Sequence, residues 1–205
     1  MHTAIPLTVL AAALTCSLAT GAAYARARVF VASYGDDANP CTFGSPCKTF
    51  QVAVNAVDAG GEVTAIDSAG FGPINIMKAV TITSPDGVEA GIVPPANGDA
   101  IAINAGASDA IVPRGLTLNG GGVGFHGIFF NSGGRLTVTN CVLQNFGKAG
   151  ILLSPTSGGI NFVIKDTFLS NVEVGVDYFP VGGSATATGV INHVVATNNR
   201  FGFAI

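Results

Sequence analysis

From Ile111 to the end of the chain, apolar side chains return with a constant period of about 26 residues. Val112, Val138, Ile164 and Val190 form one column, and Leu116, Val142, Phe168 and Val194 form another. A third column reads Asn119, Asn145, Asn171 and Thr197, and a fourth reads Gly124, Gly150, Val176 and Gly202. A constant period of this size, with apolar columns kept and the positions between them free, is the signature of a stacked repeat. The unit is not helical, because its apolar runs are short, β-branched and broken by Gly, Asn, Ser and Pro. The pattern therefore predicts an all-β chain, a right-handed parallel β-helix in which each period is one coil and each column a ladder of side chains.

Composition agrees. Charged residues make up 10% of the 205, against about 25% in ordinary soluble domains. The 28 glycines suit tight turns between stacked strands. A net charge of −3 offers no basic surface for nucleic acid or anionic lipid, so the expectation is no nucleic-acid partner.

Positions 1–25 read as an export leader. An apolar run from Ile5 to Leu18 precedes Ala23-Tyr24-Ala25, an A-x-A cleavage site, although the start carries His2 and no Lys or Arg. The run is short for a membrane span, which needs about 20 apolar residues. The expected division is therefore a signal peptide over 1–25, an N-terminal strand, cysteine loop and capping helix over 26–62, and β-helix coils over 63–205. The mature chain would be secreted or periplasmic, with no span left after removal of the leader. In an oxidising compartment Cys41 and Cys47 are expected to form a disulfide. The alternative, a pair of metal ligands, lacks a second pair of Cys or His nearby, so no metal is expected. Cys141 is left over beside an apolar column and reads as a buried thiol.

One helix is expected, with Ser45 as N-cap and Pro46 at the first helical position. Phe50, Ala53, Val54 and Val57 give it one apolar face, and Gly60-Gly61 would end it. Such a helix can cover the open end of the first coil, whose core and strand edge would otherwise face water. At the other end the chain stops in an apolar run, Phe201 to Ile205, which predicts an uncapped coil open to contact or to further chain. Asn119, Asn145 and Asn171 are expected to form a structural ladder. Asn tolerates the left-handed backbone of a sharp corner, and its amide can bond the next coil.

The segment VFVASYGDDANPCTFGSPCKTFQVAVNAV, followed by Gly60-Gly61-Glu62-Val63, resembles the opening of secreted bacterial right-handed parallel β-helix proteins of the pectate-lyase-like superfamily. The segments GLTLNG, TNCVLQN and KDTFLSN resemble their coil repeats. The resemblance implies the fold over nearly all of residues 28–205, and the long, rigid face of such a solenoid suits an extended polysaccharide as partner. The resemblance also implies a choice between a binding or structural role and a polysaccharide lyase or hydrolase. Lyases of that group use an acidic calcium site with an Arg or Lys base, and its pectin hydrolases use clustered Asp. Neither arrangement matches this chain residue by residue, so no cofactor is expected, with Ca2+ reserved for the lyase alternative. The catalytic candidates are Arg114 and Asp166, which share a column with Asn140 and Asn192, about 10 Å apart at two strand spacings. Polar strand corners would look the same. Lys165 and Asp177 fall in the same region, whereas His126 and His193 read as isolated turn or surface residues. Asp36-Asp37 reads as a solvated turn.

Overall fold

The structure, a computed structural model, describes residues 26–181 and 185–204. The leader expected over 1–25 lies outside the described residues. Strand β1 (Arg28–Val31) and helix α1 (Phe50–Ala56) precede the coils. Coils follow as β2 (Glu62–Ala65), β3 (Ala69–Gly70), β4 (Ile74–Ile76); β5 (Val80–Thr83), β6 (Ala90–Ile92), β7 (Asp99–Asn104); and β8 (Ala110–Arg114), β9 (Leu116–Asn119), β10 (His126–Ser132). Next come β11 (Arg135–Thr139), β12 (Val142–Gln144), β13 (Ala149–Leu153); then β14 (Gly159–Ser170), β15 (Val174–Tyr178); and β16 (Thr186–Thr197), β17 (Phe201–Ala204). All the named strands pair in parallel. The chain is a parallel β-helix with three faces. The long strands β14 and β16 run round the corner between the first and second faces, and the third face is β4-β7-β10-β13-β15-β17.

Each coil contributes one layer to a single interior. Ile74, Ile101, Ile128, Ile151, Val176 and Phe203 form an unbroken inward ladder on the third face. Leu118, Leu143, Leu169 and Ala196 do the same on the second. Burying one such aliphatic side chain contributes about 1.5–3 kcal/mol. Gly150 and Gly175 sit where no side chain fits. A Cβ on Gly175 would lie 2.4 Å from the Gly202 carbonyl, and one on Gly150 would lie 2.7 Å from Leu169 Cδ2.

The predicted columns hold between β11 and β14 and between β12 and β14, where Val138 pairs with Ile164 and Val142 with Phe168. Elsewhere coil length changes by a single position. Ile111 pairs with Leu136 where a constant period calls for Thr137, and Ile164 pairs with Ile191 where it calls for Val190. Val112 and Val190 therefore leave the buried column of Val138 and Ile164, and Val190 is exposed. Pairing also puts Val142, Phe168 and Val195 on the outside, with Leu116 and Val194 one position away. The glycine column is Gly127, Gly150, Gly175 and Gly202, in place of Gly124 and Val176.

The Asn ladder is present. Asn145 Nδ2 donates to Asn119 Oδ1 at 3.0 Å and Asn171 Nδ2 to Asn145 Oδ1 at 3.1 Å. The fourth member is Asn198, bonded to Asn171, in place of Thr197. Asn145, Asn171 and Asn198 have φ of 62°, 54° and 54°, the left-handed corner that Asn accepts better than most residues.

Helix α1 begins later than expected. Thr49 is the N-cap, its hydroxyl accepting from Val52 N at 3.4 Å. Ser45 and Pro46 cannot start it because the segment around them is held extended against β1. Cys47 N donates to Phe30 O at 3.0 Å, Ala32 N donates to Cys47 O at 3.0 Å, and Cys41 is disulfide-bonded to Cys47. Asp37 fastens the entry by accepting from Lys48 N and from Thr49 N and Oγ1. The helix ends at Val57 with extended backbone, so Gly60, at φ 82°, belongs to the following turn and is not the helix cap.

The apolar face is as expected: Phe50, Ala53, Val54 and Val57 are buried. Phe50 packs on Phe71 with ring centroids 4.9 Å apart. Gln51 completes the lid by bonding the exposed edge of β4, its Oε1 accepting from Asn75 N at 2.7 Å and its Nε2 donating to Asn75 O at 3.3 Å. At the opposite end the interior of the last coil is exposed among the described residues. Phe203 is 46% exposed, although its ladder partners Ile128 and Ile151 are fully buried. A cavity of about 260 Å³ opens there between Phe162, Val176, Ile191 and Phe203.

Substituting Val54→Asp would press a carboxylate against the first coil with no partner. We expect it to destabilise the protein by roughly 3 kcal/mol or more, read as a lowered denaturant midpoint; an unchanged midpoint would show that the helix does not cover the core.

Candidate functional site

Arg114 and Asp166 do not share a column. Arg114 pairs with Thr139, which pairs with Lys165. Asp166 lies one position further, in a left-handed corner stack with Gly115, Asn140 and His193, at φ of 50°, 72°, 53° and 51° respectively. The slip comes from the shorter coil between β8 and β11. Asp166 instead meets Lys165 Nζ and His193 Nδ1, each at 3.4 Å, in an open corner where all three side chains are at least 43% exposed. Exposed pairs of this kind contribute little.

The densest polar and aromatic grouping lies elsewhere, on the outer surface of the third face. Asp99 opens β7 and His126 opens β10, and the two are register partners. The turns before them are stacked by Asn97 N bonding Val123 O at 2.7 Å and Phe125 N bonding Gly98 O at 2.8 Å. This places His126 Nδ1 2.7 Å from Asp99 Oδ1, with the side chains 18% and 23% exposed. An ionised carboxylate only accepts, so Nδ1 carries the proton and Nε2 keeps a free lone pair in the neutral ring. Phe129 stacks on the imidazole with centroids 5.7 Å apart at 28°, and Phe125 approaches its edge at 6.2 Å. The ring is thus held on two sides and by one hydrogen bond.

The same surface continues down the stack. Asn75, Ala102, Phe129, Leu152, Asp177 and Ala204 form an outward column. From Asn75 to Asp177 it runs about 20 Å at the usual strand spacing. Beside it, Asn131 Nδ2 donates to Asn104 Oδ1 at 3.0 Å and Asn104 Nδ2 to Asn75 Oδ1 at 3.1 Å, a second amide ladder. A depression of about 250 Å³ at its upper end is bordered by Gln51, Pro73, Asn75, Pro95, Asp99 and Ala102. At the lower end Glu173 meets Lys148 Nζ at 3.6 Å and Arg200 Nη1 at 3.3 Å, and the Arg200 guanidinium lies over the Phe201 ring. Partial burial raises the Asp177 carboxyl above its ordinary range, and Glu173 adds to this, while the nearby His126 opposes it.

The surface holds residues that the repeat alone did not bring together. His126 read as isolated, yet Asp99 stands one coil before it, at the matching position of β7. The 26-residue period carried upstream points to Ala100, so the 27-residue step between the two hid the pair. Among the described residues, no cluster of three or more His, Cys, Asp or Glu is placed to hold a metal ion. Cys141 is buried and its thiol is pushed up to about 11 by burial, so it is an inert core group. Comparison with protein-family models, with curated proteins and with solved structures finds no match to this chain.

The raised Asp177 carboxyl has a consequence for stability. Its charged form is disfavoured in the fold, so it opposes folding at neutral pH, and this opposition disappears once the group is protonated in both states. Asp177→Asn should therefore melt higher than the parent at pH 7. The gain should fade as pH drops through the carboxylate range to below about 4. Melting curves across pH check both the sign and the window.

Proposed function

We propose that the protein is exported and binds an extended polysaccharide along the outer surface of the third face. One observation carries the reading: an Asn ladder over three consecutive coils runs beside an outward column holding Phe129 and Asp177, with the Asp99–His126 pair stacked against Phe129, on a surface about 20 Å long. A rigid solenoid keeps such groups at constant spacing, which suits a polymer that repeats along its own axis. Sugars offer hydroxyls to the Asn, Asp and His groups and apolar ring faces to Phe129. Apolar surface with a few fixed polar groups is the usual make-up of a ligand site.

Export is supported by the Cys41–Cys47 disulfide, a bond that persists in oxidising compartments, together with the A-x-A leader. No helix among the described residues is long and apolar enough to cross a membrane. The resemblance to pectate-lyase-like proteins points to the same ligand class. A second reading, a hydrolase or lyase acting on that polymer, is favoured by one feature, the oriented Asp99–His126 pair.

Removing the central ring tests the binding reading. Phe129→Ala should weaken retention of the protein in gels containing the bound polysaccharide by about tenfold, the equivalent of roughly 1.4 kcal/mol. Equal retardation of parent and variant would place the ligand elsewhere.

A further inference from the structure

The interior is as full as the side chains each coil sends into it, and the last described layer is short of them. On β14 the inward residues Ile160, Phe162 and Ile164 pair with Ala187, Gly189 and Ile191 of β16. Ile160 and Ile164 are buried, and Phe162 packs against the core. Ala187 and Gly189 therefore stand where the coil before has an Ile and a Phe. Across the interior Val176 follows Ile151, which removes one carbon more. Position 189 cannot be refilled in place, since a Cβ there would lie 2.5 Å from Phe162 Cγ and 2.4 Å from the Phe162 carbonyl oxygen. The cavity of about 260 Å³ is the result, and it is built into the sequence of β16.

We propose that this cavity binds the alkyl chain of an uncharged amphiphile, the chain lying against Phe162, Val176 and Ile191 and its polar end turned to the mouth. The site opens at the end of the stack and not on the outer surface of the third face. No lining residue carries a charge, so a carboxylate or an ammonium would lose its hydration there without a partner. The lining hydroxyl belongs to Tyr178. It donates to Ala185 O at 2.8 Å, which leaves its oxygen to accept from an alcohol or amide.

Size and shape select a chain. An apolar cavity of about 150 Å³ already takes one benzene ring. At about 30 Å³ for each group the size of water, the space here holds roughly eight carbons. Ile191 and Phe203 at the mouth are 38% and 46% exposed, so a chain can lie inside while its head stays in water. A ring gains only where it is enclosed on all sides.

The test follows methyl and aromatic NMR signals of the protein during titration with 1-butanol, 1-hexanol, 1-octanol and 1-decanol. Octanoate and benzyl alcohol serve as controls. The expected result is a saturable shift centred on Leu153, Val176 and Ile191. Affinity should rise about fourfold for each added methylene, and this gain should fall away beyond roughly eight carbons. Octanoate at neutral pH should bind at least tenfold more weakly than 1-octanol. Ala187→Leu refills the space from the opposite wall. It should melt no lower than the parent and lose at least tenfold in affinity for 1-octanol. Tyr178→Phe keeps the ring and should lose about fivefold, which decides the matter should Ala187→Leu fail to fold. Shifts that never saturate, or that spread over the whole chain, would overturn the site. Undiminished binding by Ala187→Leu would overturn its location. Octanoate binding as tightly as 1-octanol would overturn the uncharged ligand, and benzyl alcohol binding more tightly would replace the chain by a ring.

Discussion

Every coil must turn at the same height as the coil before it. A parallel β-helix has no local hairpins to set its register, so the corners have to do so. Here most corner residues adopt left-handed backbone, and at one corner their side chains bond one another along the stack. Asn119, Asn145, Asn171 and Asn198 form one such chain of amides, while Gly115, Asn140, Asp166 and His193 share left-handed backbone at another corner. A slip of one residue at a corner would turn every following side chain to the opposite face. Ile128 would leave the core and Phe129 would enter it. The pairing of Asp99 with His126 depends on that alignment, because the two residues are neighbours only through the stacking of successive coils.

A stack also has two ends, and the chain treats them differently. At the first coil the edge of β4 is met by the Gln51 side chain, which stands in for a strand residue, and Lys78 Nζ bonds the carbonyls of Asn55 and Val57 at the end of α1. The disulfide and Asp37 hold the segment that delivers the helix. At the last coil, side chains of the type that fill the interior elsewhere stand exposed, Ile191 and Phe203 among them. The candidate site lies between these ends, on rungs supported by strands on both sides, where preorganised groups are easiest to hold.

The fold was legible because coil length varies little and branched apolar residues tolerate a shift of one position. A Val can take either side of a strand, so the column of Val112 and Val190 looked regular even where the register had moved. The Asn column was legible for three members because backbone conformation, more than packing, selects Asn there. It failed at Thr197 because the last step is one position longer and Asn198 takes the corner. A one-position change of the opposite sign separated Arg114 from Asp166. The helix face was legible from its spacing, but its start was not, since the extended pairing of Cys47 with β1 is a tertiary contact. The Asp99–His126 pair was out of reach for a related reason. Its register lies upstream of the regular repeat, and neither residue carries a local motif.

Successive coils are held in line by the corner amides, and nuclear Overhauser contacts of the Asn145 side-chain amide measure this directly. We predict slowly exchanging Nδ2 protons, with cross-peaks to both Asn119 and Asn171, 26 residues away in each direction. An Asn145 amide that exchanges as in free solution and sees neither neighbour would contradict that alignment.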